Sequence, residues 1–281
     1  MDAIIAVINL GFAAAQAEAS SRRGSAGMLL ATVRFYRDFL RPEPTTRAEF
    51  LTAMFEEGSY RDRSGTDVWG GSLDLTSDYL VRGISRSDDH AALQLDLHLL
   101  DSSGFAAGVF ASNTQIDTGA RRDAELSAYL GYVWSEGDAW HGKILAANYS
   151  YPWSQAGSLY NYDEIDLEVA YQDWVRVALS FYPVVRRYSY DGDIIGVTAE
   201  SAELSLQRPI FGRLSATAGI GYYQQNGAGG SGYAYWSAGA AYDWGPVSLV
   251  VSYVGASSAA NALFYNAAVG GRWSGTAIWR F

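Results

Sequence analysis

Gly271-Arg272-Trp273-Ser274-Gly275-Thr276-Ala277-Ile278-Trp279-Arg280-Phe281 closes the chain, and its side chains alternate with a period of two. Val269, Gly271, Trp273, Gly275, Ala277, Trp279 and Phe281 fall on one face. Arg272, Ser274, Thr276 and Arg280 fall on the other, with Ile278 the one apolar residue among them. Successive side chains of a strand point to opposite sides. An apolar face ending in aromatics, backed by a charged face, suits a strand between lipid and a wet lumen.

Working back along the chain, Leu93-Gln94-Leu95-Asp96-Leu97-His98-Leu99 repeats the pattern, with leucine at every odd position. Ile165-Asp166-Leu167-Glu168-Val169-Ala170-Tyr171 and Val175-Arg176-Val177-Ala178-Leu179-Ser180-Phe181 repeat it again across a tight turn. The pattern predicts twelve strands, at 71–82, 91–100, 105–112, 123–134, 139–149, 163–172, 174–182, 197–207, 213–223, 233–244, 246–254 and 266–281. The connections alternate: short ones such as Asp101–Gly104 and Gly245-Pro246, then longer ones such as Gly83–His90 and Pro183–Gly196. That alternation is the habit of an up-and-down membrane barrel, with short turns at one end and long loops at the other. The expected fold is therefore an all-β, transmembrane, antiparallel up-and-down barrel over residues 68–281. A soluble sandwich or barrel shares the alternation and is the competing reading. The terminal Trp279 and Phe281 also resemble the C-terminal signal read by the outer-membrane barrel assembly machinery.

Composition agrees. The 281 residues are 49% hydrophobic, yet mean hydropathy is only −0.06. No uninterrupted apolar run reaches the roughly 18 residues a spanning helix needs. Half-apolar strands produce this balance. Tyrosine (20) and tryptophan (9) are abundant, as expected for residues that sit at membrane interfaces. Net charge is −10 and Lys143 is the single lysine, which argues against a nucleic-acid partner. The absence of cysteine removes disulfides and thiolate metal sites.

Two segments precede the barrel. Residues 1–19 carry a short apolar run, Ile4 to Ala15, followed by small-residue sites at Ala15-Gln16-Ala17 and Ala17-Glu18-Ala19, as in a secretory signal that lacks its usual positive start. Residues 20–67 read as an extension with helical patterning, including a capping box at Thr46-Arg47-Ala48-Glu49. Spurious upstream sequence is the other reading of this extension.

The stretch Leu75-Thr76-Ser77-Asp78-Tyr79-Leu80-Val81-Arg82-Gly83-Ile84-Ser85 resembles the opening motif of the bacterial Gcw_chp family, also called the TorF-type porins. Gly104-Phe105-Ala106-Ala107-Gly108-Val109-Phe110-Ala111-Ser112-Asn113 is similar to the family's second motif, and Tyr149-Ser150-Tyr151-Pro152 to a weaker third. The resemblance spans about residues 71–281 and implies an outer-membrane channel of unassigned substrate.

If the leucine- and aromatic-bearing face meets lipid, the other face lines the interior. The expected pore-lining residues are Asp74, Asp78, Arg82, Asp96, His98, Glu125, Lys143, Asp166, Glu168 and Arg176 on a charged wall, with Arg272 and Arg280 on the closing strand. Ser215, Thr217, Ser237, Gly239, Ser248 and Ser252 make a wall of small side chains opposite it. Arg280 is expected to pair with Asp74. The acid excess predicts a mild preference for cations. Partners are then outer-membrane lipid, the assembly machinery and small solutes. A non-conducting barrel with partner-binding loops is the alternative, and a lipid-modifying enzyme a distant third. No catalytic, cofactor or metal site is expected. The three histidines, His90, His98 and His141, do not form a triad pattern. Asp88-Asp89-His90 reads as a solvated loop. Gly227-Ala228-Gly229-Gly230 lacks the Lys-Ser/Thr of a phosphate loop.

Overall fold

The computed structural model describes residues 68–281, apart from 117–122, 137–138, 155–156, 173, 189–192, 228–229 and 265–268. The expected signal at 1–19 and extension at 20–67 lie outside the described residues. Fourteen strands follow in chain order: β1 Val68–Thr76, β2 Leu80–Val81, β3 Ile84–Ser85, β4 Ala92–Leu100, β5 Phe105–Thr114, β6 Asp123–Glu136, β7 Trp140–Ser150, β8 Tyr162–Tyr171, β9 Val175–Tyr188, β10 Ile194–Phe211, β11 Leu214–Gln225, β12 Gly232–Trp244, β13 Val247–Ala256 and β14 Arg272–Arg280. All but β2 and β3 form one closed antiparallel barrel of twelve strands. Each barrel strand pairs with the next, and β14 returns to β1 in the register Ser72↔Arg280 and Thr76↔Thr276. Closure leaves no unpaired sheet edge. The even strand number brings the last residue back beside the first strand. There Gly71 and Phe281 exchange both backbone hydrogen bonds at 3.0 Å.

The alternation read from sequence sorts the residues by face. On β4, Leu93, Leu95 and Leu97 are exposed, while Gln94, Asp96 and His98 are buried. Around the barrel the outward face is apolar. Aromatics ring it at both ends: Trp69, Phe105, Trp140, Trp244 and Trp279 near the short turns, and Tyr222, Trp236, Tyr253 and Trp273 near the long loops. The inward face is polar and buried. This is the reverse of a soluble protein, whose charged residues are almost never fully buried.

Turn chemistry fixes the short end. Gly245, before Pro246, takes φ +62° between β12 and β13. At the β4–β5 turn the Asp101 carboxylate accepts from the Ser103 amide at 2.5 Å and from the Ser103 hydroxyl. Those bonds, the hydroxyl's first, hold the Asp101 carboxyl below its usual range.

Several expected strands differ in length, among them 266–281, which begins as β14 only at Arg272. The run 71–82 does not continue as wall: β1 ends at Thr76, and the chain then turns into the barrel. Leu80, Val81 and Ile84 are all buried there. β9 and β10 depart the other way, forming a longer hairpin than the expected 174–182 and 197–207.

Candidate functional site

The loop joining β1 to β4 is the organising feature of the interior. β2 and β3 pair as a miniature hairpin, Leu80↔Ser85 and Val81↔Ile84, with Arg82 and Gly83 at its tip. Both tip residues have positive φ, +50° and +76°. That backbone belongs to the tight primed turns, where Asn-Gly is the favoured pair. Gly83 is required: an added Cβ would stand 2.6 Å from the Gly255 carbonyl oxygen at the end of β13. Arg82 is strained, and such strain persists where contacts over-determine it. Its guanidinium reaches Glu164 on β8 at 2.8 Å, Ser180 on β9 at 3.2 Å and Ser201 on β10 at 3.2 Å. It also lies 5.2 Å from the centre of the Tyr182 ring.

The remainder of the loop is anchored around the rim. Asp78 accepts from Ser85 at 2.5 Å and Ser87 at 3.0 Å, and pairs with Arg272 of β14 at 3.3 Å. Arg272 also pairs with Asp89. Tyr79 donates to Glu125 of β6 at 2.9 Å, and Tyr151 donates to the other oxygen of the same carboxylate. Ile84 bridges Val269. The hairpin is therefore tied to strands on both sides of the lumen. Asp78, Arg82 and Arg272, expected among side chains lining a strand wall, instead place and hold this loop.

Below the hairpin, β8 presents a column of three inward carboxylates: Glu164, Asp166 and Glu168. Glu164 takes Arg82 and the Tyr182 hydroxyl, the latter at 2.5 Å. Asp166 accepts from Ser180 at 2.7 Å. Glu168 sits between two cations, Lys143 of β7 and Arg176 of β9, each at 2.9 Å. On β4, Asp96 lies 2.5 Å from His98 Nδ1 and accepts from Tyr129 at 2.8 Å. Buried charges need such partners, because an unpaired one is costly to remove from water. Arg280 donates to Ser248 at 2.7 Å and stands opposite Ser72, two residues from Asp74 on β1.

On the opposite side Ser215, Thr217, Ser237, Ser248 and Ser252 face inward and are buried. Gly239 differs from its neighbours. A Cβ there would fall 2.3 Å from Ser252 Oγ and 2.4 Å from the Val251 carbonyl oxygen. The position is a close backbone approach, although Gly239 itself is only half-buried. Ile278, the apolar residue on the polar face of β14, packs inward with Ala241 and Val250.

The model of a family described as "Bacterial protein of unknown function (Gcw_chp)" matches residues 62–280. The chain belongs to the Gcw_chp family. No curated protein matches it. Among solved structures it is similar to the KdgM porin, at 12% identity and TM-score 0.46 over 75% of this chain and 99% of that one. It is similar to the NanC porin at 7% identity and TM-score 0.46, over 76% and 98%. It is also similar to the Pseudomonas putida toluene transporter TodX at 13% identity and TM-score 0.41, over 81% and 92%. The twelve-stranded closure of this Gcw_chp chain stands on its own strand pairing.

The Gcw_chp motifs now have physical content. The opening motif is the end of β1 plus the inward hairpin, and its Arg-Gly is the hairpin tip. The second motif is β5, where Gly108 leaves room for Tyr129, whose hydroxyl lies 2.0 Å from the place a Cβ would occupy. Sequence reasoning missed Glu164. It lies inside the expected strand 163–172 and shares the parity of Asp166 and Glu168, which was signal enough to find it. It also missed Arg86 and Arg186, which line a cavity at the long-loop end.

Proposed function

We propose that this protein is an outer-membrane channel: a narrow, passive, weakly cation-selective path for small solutes, constricted by the β2–β3 hairpin. The observation that carries the reading is the inverted barrel. Large apolar side chains face out, and among the described residues eight carboxylates (Asp74, Asp78, Asp96, Asp123, Glu125, Glu164, Asp166, Glu168) are buried within it against three buried cations (Lys143, Arg176, Arg280). Arg82, Arg86, Arg187 and Arg272 add partly buried cations, Glu203 and Asp243 add partly buried carboxylates, and the acid excess remains in place. Carboxylate-rich passages favour cations. The side chains of the serine wall are the smallest, so the path follows Ser215, Thr217, Ser237 and Ser252. Trp279 and Phe281 are the assembly signal in this reading. The chemistry is non-enzymatic, with His98 held in its pair with Asp96.

Two tests separate the parts of this reading. Leu130 is 66% exposed at mid-strand on β6. Leu130→Arg is expected to destabilise the barrel in lipid vesicles by about 2–4 kcal/mol, the cost of arginine at the bilayer midplane. A soluble barrel loses no more than about 0.5 kcal/mol from a surface change. Denaturant titration distinguishes them. For conduction, the full chain in a planar bilayer under a salt gradient should give a cation-biased reversal potential, and Ser237→Trp should lower the conductance. A silent bilayer containing folded barrel overturns the channel. It would favour the second reading, a closed surface barrel whose long-loop end binds a partner, for which the latched hairpin is the supporting observation.

A further inference from the structure

Gly219 sits mid-strand on β11, between Ser205 of β10 and Ser237 of β12 in the register of the barrel wall. Having no side chain, it opens a notch in the serine wall, and oxygen surrounds that notch. The three atoms nearest to the point where a Cβ would stand, chain neighbours aside, are all side-chain oxygens: Ser237 Oγ at 2.9 Å, Ser205 Oγ at 3.6 Å and Glu203 Oε1 at 3.8 Å. The neighbouring inward glycines differ. A Cβ at Gly221 would meet the Tyr235 ring at 2.2 Å, and one at Gly239 the Val251 carbonyl oxygen at 2.4 Å. Gly219 and Glu203 are half-buried while Ser205 and Ser237 are buried, so the notch opens on the lumen.

This donor set is that of a cation site. Glu203 supplies the charge. Ser205 donates to it at 2.9 Å, which leaves the lone pairs of the Ser205 oxygen for a ligand. A carboxylate has about four acceptor positions, so it takes further partners beside this bond. The Ser237 hydroxyl adds lone pairs from the facing strand. Arg82 is committed one inward position above, to Glu164, Ser180 and Ser201. A second observation points the same way. Thr217 Oγ1, one inward position along β11, and Ser252 Oγ on β13 are buried with no hydrogen-bond partner. Buried polar groups are paired as a rule, so these oxygens are suited to a passing cation or the water it carries.

We infer that the Gly219 notch is a binding site for one monovalent cation, an alkali ion or a primary ammonium group. The inference deepens the cation path proposed above and rests on it. One carboxylate among neutral hydroxyls matches a single positive charge. Calcium takes about six to eight oxygens and magnesium a near-ideal octahedral set, and neither is offered here. A weak site of this kind also suits conduction, which requires that an ion be held loosely enough to leave.

The test is sodium NMR relaxation of the full chain in a neutral detergent, titrated with sodium chloride. The wild-type chain should show a saturable excess relaxation. Glu203→Gln and Gly219→Ala should each weaken binding about tenfold, the scale of one lost charged contact. The alanine Cβ fills the notch, and the Ser237 hydroxyl can turn aside from it. Ser237→Ala removes one neutral oxygen without adding bulk and should weaken binding about threefold. Glu200→Gln removes the same charge from the exposed outer face of β10, and Gly275→Ala adds a Cβ that meets nothing nearer than 4.0 Å, so both should bind as the wild type does. Heat-shifted gel mobility verifies that each variant is folded. Stronger displacement of sodium by methylammonium than by potassium identifies the ligand as an ammonium group, and the reverse as an alkali ion. The proposal is overturned if the relaxation does not saturate, or if folded Glu203→Gln and Ser237→Ala bind unchanged. It is overturned too if Glu200→Gln weakens binding as much as Glu203→Gln, or if calcium displaces sodium better than either monovalent competitor. Binding with a silent bilayer overturns the channel alone, and conduction without binding overturns this site alone.

Discussion

Arg82→Asn should turn rare openings of the barrel into frequent ones. The substitution removes the pair with Glu164 at 2.8 Å and the bonds to Ser180 and Ser201, which hold the hairpin tip across the lumen. Breaking a buried ion pair by removing one partner costs about 3–5 kcal/mol. Part of this is offset, because Asn tolerates the +50° φ that strains Arg82, a strain of about 1–2 kcal/mol. The net bias against the latched arrangement is then about 2 kcal/mol, a shift of about thirtyfold in the balance between latched and released loop. Single-channel records of the full chain should show open probability rising by about tenfold or more. Glu164→Gln removes the other half of the latch and should act alike. The double variant should add little, since the two residues share one interaction. Gly83→Val reaches the same end through the backbone, because its added Cβ meets the Gly255 carbonyl oxygen at 2.6 Å. If Arg82→Asn and Glu164→Gln leave conductance and open probability unchanged, the hairpin is not the constriction.

The hairpin also marks where sequence reading reaches its limit. The walls were legible because lipid outside and water inside impose a strict period of two, and Leu93, Leu95 and Leu97 against Gln94, Asp96 and His98 admit one register. The alternating loop lengths then gave the strand number and the common end of β1 and Phe281. The inward turn was not legible from period alone, since Asp74, Asp78 and Arg82 share the parity of a continuing strand. The signal lay in Leu80, an apolar residue at the same parity, followed by an Arg-Gly pair between apolar neighbours, the pattern of a two-residue hairpin. Gly239 shows a related limit. Sequence gives the face of a residue but not how near the next backbone comes, and Ser252 Oγ already fills the space a side chain at 239 would need.

Glu168→Ala should be the most destabilising single change in the charged wall. Its carboxylate stands between Lys143 and Arg176, 2.9 Å from each, and all three are buried. Removing it leaves two cations facing one another across a site with no water-facing alternative. The expected loss is about 3–5 kcal/mol, the range for a buried charge deprived of its partner. It is read as a lower denaturant midpoint in lipid vesicles. Asp166→Asn, one inward position away, is the informative contrast. Asp166 is held by the Ser180 hydroxyl at 2.7 Å, and an amide oxygen can still accept that bond, so the expected loss is only about 1 kcal/mol. Equal losses at the two positions would mean that burial, not pairing, sets the stability of the wall. The same pair of variants reports on permeation. Each removes one negative charge from the lumen, so the reversal potential of either should move toward zero, in spite of their different stabilities. A reversal potential unmoved by both would mean that the β8 carboxylates do not set the selectivity of the path along the serine wall.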